Sequence, residues 1–477
     1  MYEFTKIERI NPNLRPSNER VHNFKEIQEV YSEEEAASQA SRCVQCGNPY
    51  CSATGCPLGN YIPQWLKFIA EKDLKLAFDI SNETSPFPEI LGRICPHSRL
   101  CEGDCTLNDG NEHETIGAIT IGAIEVAISE QGFAKGMEPD FEALTTGKKV
   151  AIIGSGPAGL SCAHFLLRAG IKPVVYERSD ALGGLLTYGI PNFKLEKEAV
   201  ERRIRFLQEA GMEAHLSTEI GKDISFEEIY QNHDAVFLAM GALQGRVLDG
   251  KAYNTPNLYM AVPFLTNAQK QITEQPYDKK YHVAGKHVMV IGGGDTAMDC
   301  VRTSLRLGAR QVECIYRRDE KNMPGSRKEV QAAKEEGINF VYLKSPKRLL
   351  ADSKGWLVGA EFVDTQLIPQ ENGRDKVEEI PGTESVWSAD VVILALGFTN
   401  EKAPFLTENG IELNAWGAIK TDENQQTTRI GVFAGGDNVR GADLAVTAAL
   451  DGREAAFRII EMLLGEPAET EINELSH

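Results

Sequence analysis

The sequence predicts an α/β protein in which two doubly wound, nucleotide-binding units follow an α-helical, cysteine-bearing segment. Two glycine fingerprints and one cluster of cysteines carry that prediction. The first fingerprint, KKVAIIGSGPAG, runs from a short apolar stretch into Gly154-x-Gly156-x-x-Gly159. The second, HVMVIGGGDTA, repeats the pattern as Gly292-x-Gly294-x-x-Ala297. Seven of the ten cysteines lie between Cys43 and Cys105, upstream of both.

A chain of 477 residues has room for roughly three domains. Its 42% hydrophobic and 25% charged content are ordinary for a globular protein, so no compositional class overrides the motifs. A formal charge of −19 argues against an electrostatic nucleic-acid binder, which needs a basic face. The start, MYEFTKIERI, is charged and has no apolar core of a secretory signal. No apolar run approaches the ~18 residues of a membrane span. The expectation is a cytoplasmic chain bound to neither membrane nor nucleic acid.

Ser32 and Glu35 have the spacing of a capping box and predict a helix leading to Cys43. Cysteines follow at Cys43, Cys46, Cys51 and Cys56, then at Cys95, Cys101 and Cys105. Clustered thiols in a chain without an export signal read as metal ligands before disulfides. Structural zinc usually shows two C-x-x-C knuckles, and here there is one such pair. Cys56-Pro57 and Cys95-Pro96 match the cysteine–proline steps of ferredoxin-type sites, so iron–sulfur chemistry is favoured over zinc. Seven thiolates cannot fill two sites of four. Either one centre lacks a ligand or a group other than cysteine supplies it. Between the cysteine groups, YIPQWLKFIAEKDLKLAFDI reads as a helix whose apolar face includes Trp65, Leu66, Ile69, Leu74 and Phe78. TIGAIEVAISEQGF reads as another, with Glu125 among apolar neighbours.

In the first nucleotide unit, Gly154 and Gly156 permit a tight turn and close approach of a diphosphate, while Gly159 lets helix and strand pack closely. Pro157 and Ala158 open the helix whose N-terminus would receive the phosphates. The next strand ends at Glu177-Arg178, roughly 20 residues past the fingerprint, where an acid can accept from a ribose hydroxyl. Gly184 and Leu185 begin a glycine-rich loop, followed by an amphipathic, basic helix. DAVFLAMGAL is a buried strand running into Gly241.

A polar, loop-rich segment is expected at about 266–284, before the second unit. There Gly292, Gly294, Asp295, Thr296 and Ala297 form the turn and helix start. The following strand ends on Tyr316-Arg317-Arg318 instead of an acid, and Arg327 follows closely. A guanidinium at that point pairs with a 2′-phosphate, which favours NADPH over NADH. Cys162 and Cys300 read as small buried residues on the two helices. Residues 340 to 390 read as hairpins appended to this unit. DVVILALGF is a second buried strand running into glycine, and IGVFAGGDNVRGADLAV then supplies a strand, Gly436-Asp437 and a helix through Ala445. Asp437 is suited to a ribityl hydroxyl or a phosphate-linked water. The helix end would stabilise charge on a reduced flavin ring.

The stretches RCVQCGNPYC, GRICPHSRLCEGDCTLN, GGLLTYGIPNFKLEKE, GGGDTAMDCVRTSLRLGA and YRRDEKNMPGSRKEV extend this reading. Across nearly its whole length the chain resembles the small (beta) subunit family of bacterial NADPH-dependent glutamate synthase. The wider family includes the N-terminal half of dihydropyrimidine dehydrogenase and the large subunit of bifurcating NADH-dependent ferredoxin:NADP oxidoreductase. The resemblance implies FAD at the first unit, NADPH at the second and two 4Fe-4S clusters. One cluster would take Cys43, Cys46, Cys51 and Cys105. The other would take Cys56, Cys95, Cys101 and Glu125, the carboxylate of IGAIE. Four residues separate Cys51 from Cys56, where close relatives often have three.

The order of the motifs implies an interrupted arrangement, with limits 1–146 for the clusters, 147–250 with 396–477 for FAD, and 251–395 for the inserted NADPH domain. The resemblance also implies the activity: NADPH is oxidised at FAD and electrons pass to a large FMN-containing subunit, which makes glutamate from glutamine and 2-oxoglutarate. The other outcome is the same module serving another acceptor, such as ferredoxin or a pyrimidine-reducing subunit. Hydride transfer needs alignment, not a side-chain acid or base, so no catalytic side chain is assigned.

Overall fold

The computed structural model describes residues 2–108, 116–141, 144–248, 255–370 and 373–465. The junction expected at 250/251 and the last residues of the chain lie outside that set.

The cysteine segment is helical. Helix α1 (Glu33–Ser41) starts with the capping box: Ser32 accepts from the Glu35 N–H, and Glu35 accepts from the Ser32 N–H. The single helix expected over YIPQWLKFIAEKDLKLAFDI is instead two, α2 (Ile62–Ala70) and α3 (Leu74–Thr84). Lys72 lies between them at φ 63°, and Asp73 caps α3 by accepting from the Leu76 N–H. The apolar period continues through the break, which is why periodicity alone joins the two. Helices α4 (Pro88–Ile94) and α5 (Ile121–Ala134) complete the segment. Trp65, Phe78, Ile124 and Ile128 form its core.

The first nucleotide unit contains β1 (Lys149–Ile153), α6 (Pro157–Arg168), β2 (Lys172–Tyr176), α7 (Lys197–Glu209), β3 (Glu213–His215) and β4 (Ala235–Leu238). The second contains β5 (Leu258–Met260), α8 (Ala261–Ile272), β6 (His287–Ile291), α9 (Asp295–Arg306), β7 (Gln311–Tyr316), α10 (Arg327–Glu335) and β8 (Asn339–Tyr342). Helix α8 corrects the first part of the loop expected at about 266–284, which begins only after Ile272. Ala261, Phe264, Leu265 and Ala268 recur at helical spacing and are buried, so the helix persists to Ile272 despite its polar outer face.

Strands β9 (Lys344–Ala351), β10 (Leu357–Ile368), β11 (Lys376–Glu379) and β12 (Ser385–Ser388) form the antiparallel lobe read as hairpins. Strand β13 (Val391–Leu394) returns to the second unit. Strand β14 (Val432–Ala434) and helix α11 (Ala445–Leu464) return to the first.

The two parallel sheets have matching orders, β14-β4-β1-β2-β3 and β5-β13-β6-β7-β8. In each, the strand before the glycine loop is central: Ile153 pairs with both Tyr176 and Leu238, and Ile291 with both Ile315 and Leu394. Neighbours on opposite sides lead the chain in opposite directions, which leaves a crevice at the glycine loop. The cluster segment is continuous with the first unit, because Leu58, Phe87, Ile90 and Leu91 share a core with Leu160, Phe165 and Ile459. Each such fully buried side chain contributes about 1.5–3 kcal/mol.

Candidate functional site

The first glycine loop depends on its missing side chains. A Cβ on Gly154, at φ +101°, would stand 2.4 Å from the Ala239 carbonyl oxygen, and one on Gly159 would stand 2.0 Å from that of Gly154. Gly156 differs, because a Cβ there meets nothing within 4 Å. Its face is open, as a loop that receives a ligand requires. Gly184 closes over this loop, with a built Cβ only 2.9 Å from the Gly156 Cα. Gly436 packs near Ala158, and Leu185 and Ala445 are half-buried beside these turns.

Glu177 sits under the loop with most of its accepting capacity used locally. It accepts from the Ser155 N–H (3.0 Å), the Ser155 hydroxyl (2.6 Å) and the Ser179 N–H (2.8 Å). Arg178 is exposed and paired with Glu401 at 2.5 Å. Burial raises the Asp437 carboxyl to about 7, against a hydrogen bond from the Asp443 N–H.

Sequence reading missed Lys197. Its buried ammonium donates to the carbonyls of Leu186 (3.0 Å), Ile190 (2.6 Å) and Leu195 (3.0 Å), anchoring the loop that begins at Gly184. Burial lowers its pKa to about 7. No spacing rule marks such a residue, since a lysine in an amphipathic helix reads as solvated.

The second loop repeats these constraints. A Cβ on Gly292 would stand 2.3 Å from the Ala395 carbonyl oxygen, whereas one on Gly294 meets nothing within 4 Å. The Asp295 carboxylate accepts from the Ser326 N–H at 2.8 Å, Thr296 is half-buried and Ala297 is buried. Arg317 is exposed at the end of β7. Arg318 is half-buried and donates to the Asp375 carbonyl at 3.4 Å, while its buried Nε has no partner among the described residues. Arg327 opens α10 and is exposed.

The seven cysteines divide into two groups. The thiol of Cys51 is pushed up to about 12, first by burial and then by Cys105, Cys43 and Cys46, so these four lie within electrostatic reach of one another. Cys43 accepts from the Gln45 N–H and side-chain amide, each at 3.4 Å, and Cys46 lies 3.1 Å from the Thr106 hydroxyl.

Cys56, Cys95, Cys101 and Glu125 line one cavity with Asn60, Trp65, His97 and Val446. Burial lifts Cys95 and Cys101 well above the ordinary thiol range, and raises Glu125 to about 8 with Glu89 adding to it. The Glu125 carboxylate accepts from the Asn60 side-chain amide at 3.4 Å. The buried His97 Nε2 and Trp65 Nε1 at the cavity wall have no hydrogen-bond partner among the described residues. Gly122 of IGAIE admits the His97 ring, because a Cβ there would meet it at 2.3 Å.

Among the described residues, no three His, Cys, Asp or Glu side chains converge tightly enough to hold a single ion. Soft donors spread around a cavity, with the spare Trp65 indole N–H in its wall, fit a multi-iron cluster better than one zinc. Gly55 accommodates the four-residue spacing after Cys51: it turns against the Cys101 Cα, which a Cβ would approach to 2.9 Å.

Residues 20–137 match the family model described as dihydropyrimidine dehydrogenase domain II, 4Fe-4S cluster, and residues 148–452 match pyridine nucleotide-disulphide oxidoreductase. The chain is 46% identical over 470 residues to the glutamate synthase (NADPH) small chain of Halomonas elongata, covering 97% of this chain and 98% of that one. It belongs to the glutamate synthase (NADPH) small-chain family. As a member, it is an oxidoreductase of the pyridine-nucleotide class, and the iron–sulfur reading of its cysteines stands over zinc and disulfides.

The chain is also 45% identical over 449 residues to the putative oxidoreductase AegA of Escherichia coli, covering 92% of this chain and 67% of that one. Mycobacterium tuberculosis FprA in complex with NADPH shares the fold, at TM-score 0.55 and 17% identity over 67% of this chain and 85% of that one. Among the described residues, no helix is long and apolar enough to cross a membrane.

If the open face of Gly156 receives a diphosphate, Gly156→Ala will fold normally and bind FAD at least about tenfold more weakly, because the added methyl occupies ligand space and touches no protein atom. Flavin absorbance per chain, measured beside thermal unfolding, checks this. A fully flavinated variant would refute it.

Proposed function

We propose that the chain is the electron-input subunit of an NADPH-dependent glutamate synthase. NADPH binds the second glycine loop, Gly292 to Ala297, with Asp295 and Thr296 at the helix start and with Arg317, Arg318 and Arg327 around its 2′-phosphate. FAD binds the first unit, through Gly154–Gly159, Glu177, Gly184, Leu185 and the Gly436-Asp437 turn, with Arg178 and Ala445 at its edges. Cys43, Cys46, Cys51 and Cys105 hold one 4Fe-4S cluster; Cys56, Cys95, Cys101 and Glu125 hold the other. When bound, FAD accepts hydride from NADPH and the clusters carry single electrons to a large FMN-containing subunit that forms glutamate from glutamine and 2-oxoglutarate. The corresponding domains are 1–146, 147–250 with 396–477, and 251–395, in the cytoplasm.

One observation carries this reading beyond family membership. Val446, in the first turn of α11 and therefore part of the FAD unit, lines the cavity that holds Cys56, Cys95, Cys101 and Glu125. The second cluster site thus adjoins the flavin unit, while Cys46, Cys51 and Cys105 are only half-buried. Lys197 holds the loop over the glycine turn.

The similarity to AegA supports a second reading, in which the same module serves another electron acceptor. Anaerobic purification from native extract separates the two. Co-purification of a large flavoprotein, with glutamate formed from NADPH, glutamine and 2-oxoglutarate, is the expected result. Isolation alone or with another iron–sulfur protein, with NADPH still bleaching the flavin, would exclude the glutamate synthase assignment and leave the module.

A further inference from the structure

The short turn His97–Arg99 lies between two of the proposed cluster ligands, Cys95 and Cys101. Its last side chain reaches out of the cluster domain. Arg99 Nη1 donates to the Pro324 carbonyl at 3.3 Å, and Nη2 stands 3.9 Å from the Asp295 carboxylate. Both partners border the second glycine loop, where the Gly325 N–H donates to the Gly293 carbonyl at 3.0 Å and the Ser326 N–H donates to Asp295. Directly alongside is the open face of Gly294.

The base of this arginine is rigid, because the His97 carbonyl accepts from the N–H groups of Leu100, Glu102 and Gly103. Its guanidinium is not saturated. Of five N–H donors, one is used on a carbonyl among the described residues, and the side chain is 52% exposed. Asp295, in the first turn of α9, adds negative charge beside that loop, and Arg99 is a cation placed to offset it.

We propose that Arg99 is a nucleotide-binding residue supplied by the cluster domain. Its guanidinium pairs with the diphosphate of NADPH seated on Gly292–Ala297 and offsets the charge of Asp295. This rests on the reading of that loop as the NADPH site. The nucleotide site is then completed by the same turn that carries cluster ligands, and not by the second unit alone.

The test is equilibrium titration of the anaerobic holoprotein with NADP⁺ and with 2′-AMP, which has the 2′-phosphate but no diphosphate. Arg99→Ala is expected to weaken NADP⁺ binding about tenfold, to leave 2′-AMP unaffected and to keep wild-type flavin and iron content. Arg99→Lys, which retains charge without the planar fork, is expected to recover part of the loss. The KM for NADPH should rise with kcat nearly unchanged, as for a contact equal in ground and transition states. Unchanged NADP⁺ affinity in Arg99→Ala, or equal weakening of both ligands, would overturn the proposal. The underlying site reading is checked separately with Arg318→Ala, which should weaken both ligands. If neither ligand responds to Arg318→Ala, the site itself is misassigned and the assignment of Arg99 falls with it.

Discussion

If the two proposed cluster sites hold, anaerobically prepared Cys101→Ser protein will keep its flavin, and keep reducing artificial dyes from NADPH, while losing about half its iron. Glutamate formation with the large subunit should fall more than about 100-fold, since even the supporting residues of metal ligands typically cost 10–100-fold. Cys101 is buried in the wall of the cavity shared with Cys56, Cys95 and Glu125, and Gly55 turns against its backbone. Serine preserves that packing and removes only the soft donor. The companion substitutions at Glu125 refine the result. Glu125→Gln keeps an oxygen donor beside Asn60 and should retain more iron than Glu125→Ala. Iron per chain and low-temperature EPR read the outcome. Wild-type iron and glutamate formation in Cys101→Ser would mean that the cavity holds no cluster.

Replacing Glu336 should have the largest effect on stability. Its carboxylate accepts from Arg302 (2.8 and 3.0 Å), Arg306 (2.7 and 3.0 Å) and Arg20 (3.0 Å), all buried, and the guanidinium carbons of Arg302 and Arg306 stand 4.6 and 4.0 Å from the Phe193 ring centre. These residues come from the N-terminal segment, the first nucleotide unit and the second, so the cluster fastens three parts of the chain together. Glu336→Gln leaves three buried guanidinium groups without their shared anion, at a cost of about 3–5 kcal/mol.

Burial by itself would raise the Glu336 carboxyl, but the hydrogen bonds from Arg306 and Arg302 outweigh it and hold the group at about 2, below its ordinary 4.5. The contribution is therefore complete above about pH 4.5 and is lost as the pH falls through about 2. Thermal unfolding followed from neutral to acid pH should show a lower midpoint for Glu336→Gln at neutral pH and convergence with wild type on the acid limb. Parallel curves across the range would contradict the pairing.

What could be read along the chain, and what could not, divides by the reach of each interaction. Gly154, Gly156 and Gly159 are legible because turn, ligand approach and packing act within six residues. The helix break at Lys72 was missed because apolar spacing carries through it. Helix α8 was missed because its polar outer face resembles a loop, while Phe264 and Leu265 are buried beneath it. The proposal of Glu125 as a ligand comes from resemblance alone. An acid in an apolar helix has no local signature of a ligand until the cavity around it is seen.

By itself, the sequence determined two parallel nucleotide-binding units, their interrupted order, the basic ending of β7 and a thiol set too large for one centre. Each follows from local sterics, short spacing or the donor chemistry of residue types. Only the tertiary structure decided which cysteines share a cavity, that Val446 borders it, that Lys197 anchors the loop at Gly184, and that Arg99 and Arg20 reach into the second unit. Those pairings join residues as far apart as Arg20 and Glu336. A side chain that reads as solvated along the chain becomes a buried partner only when folding removes water from both ends of the contact.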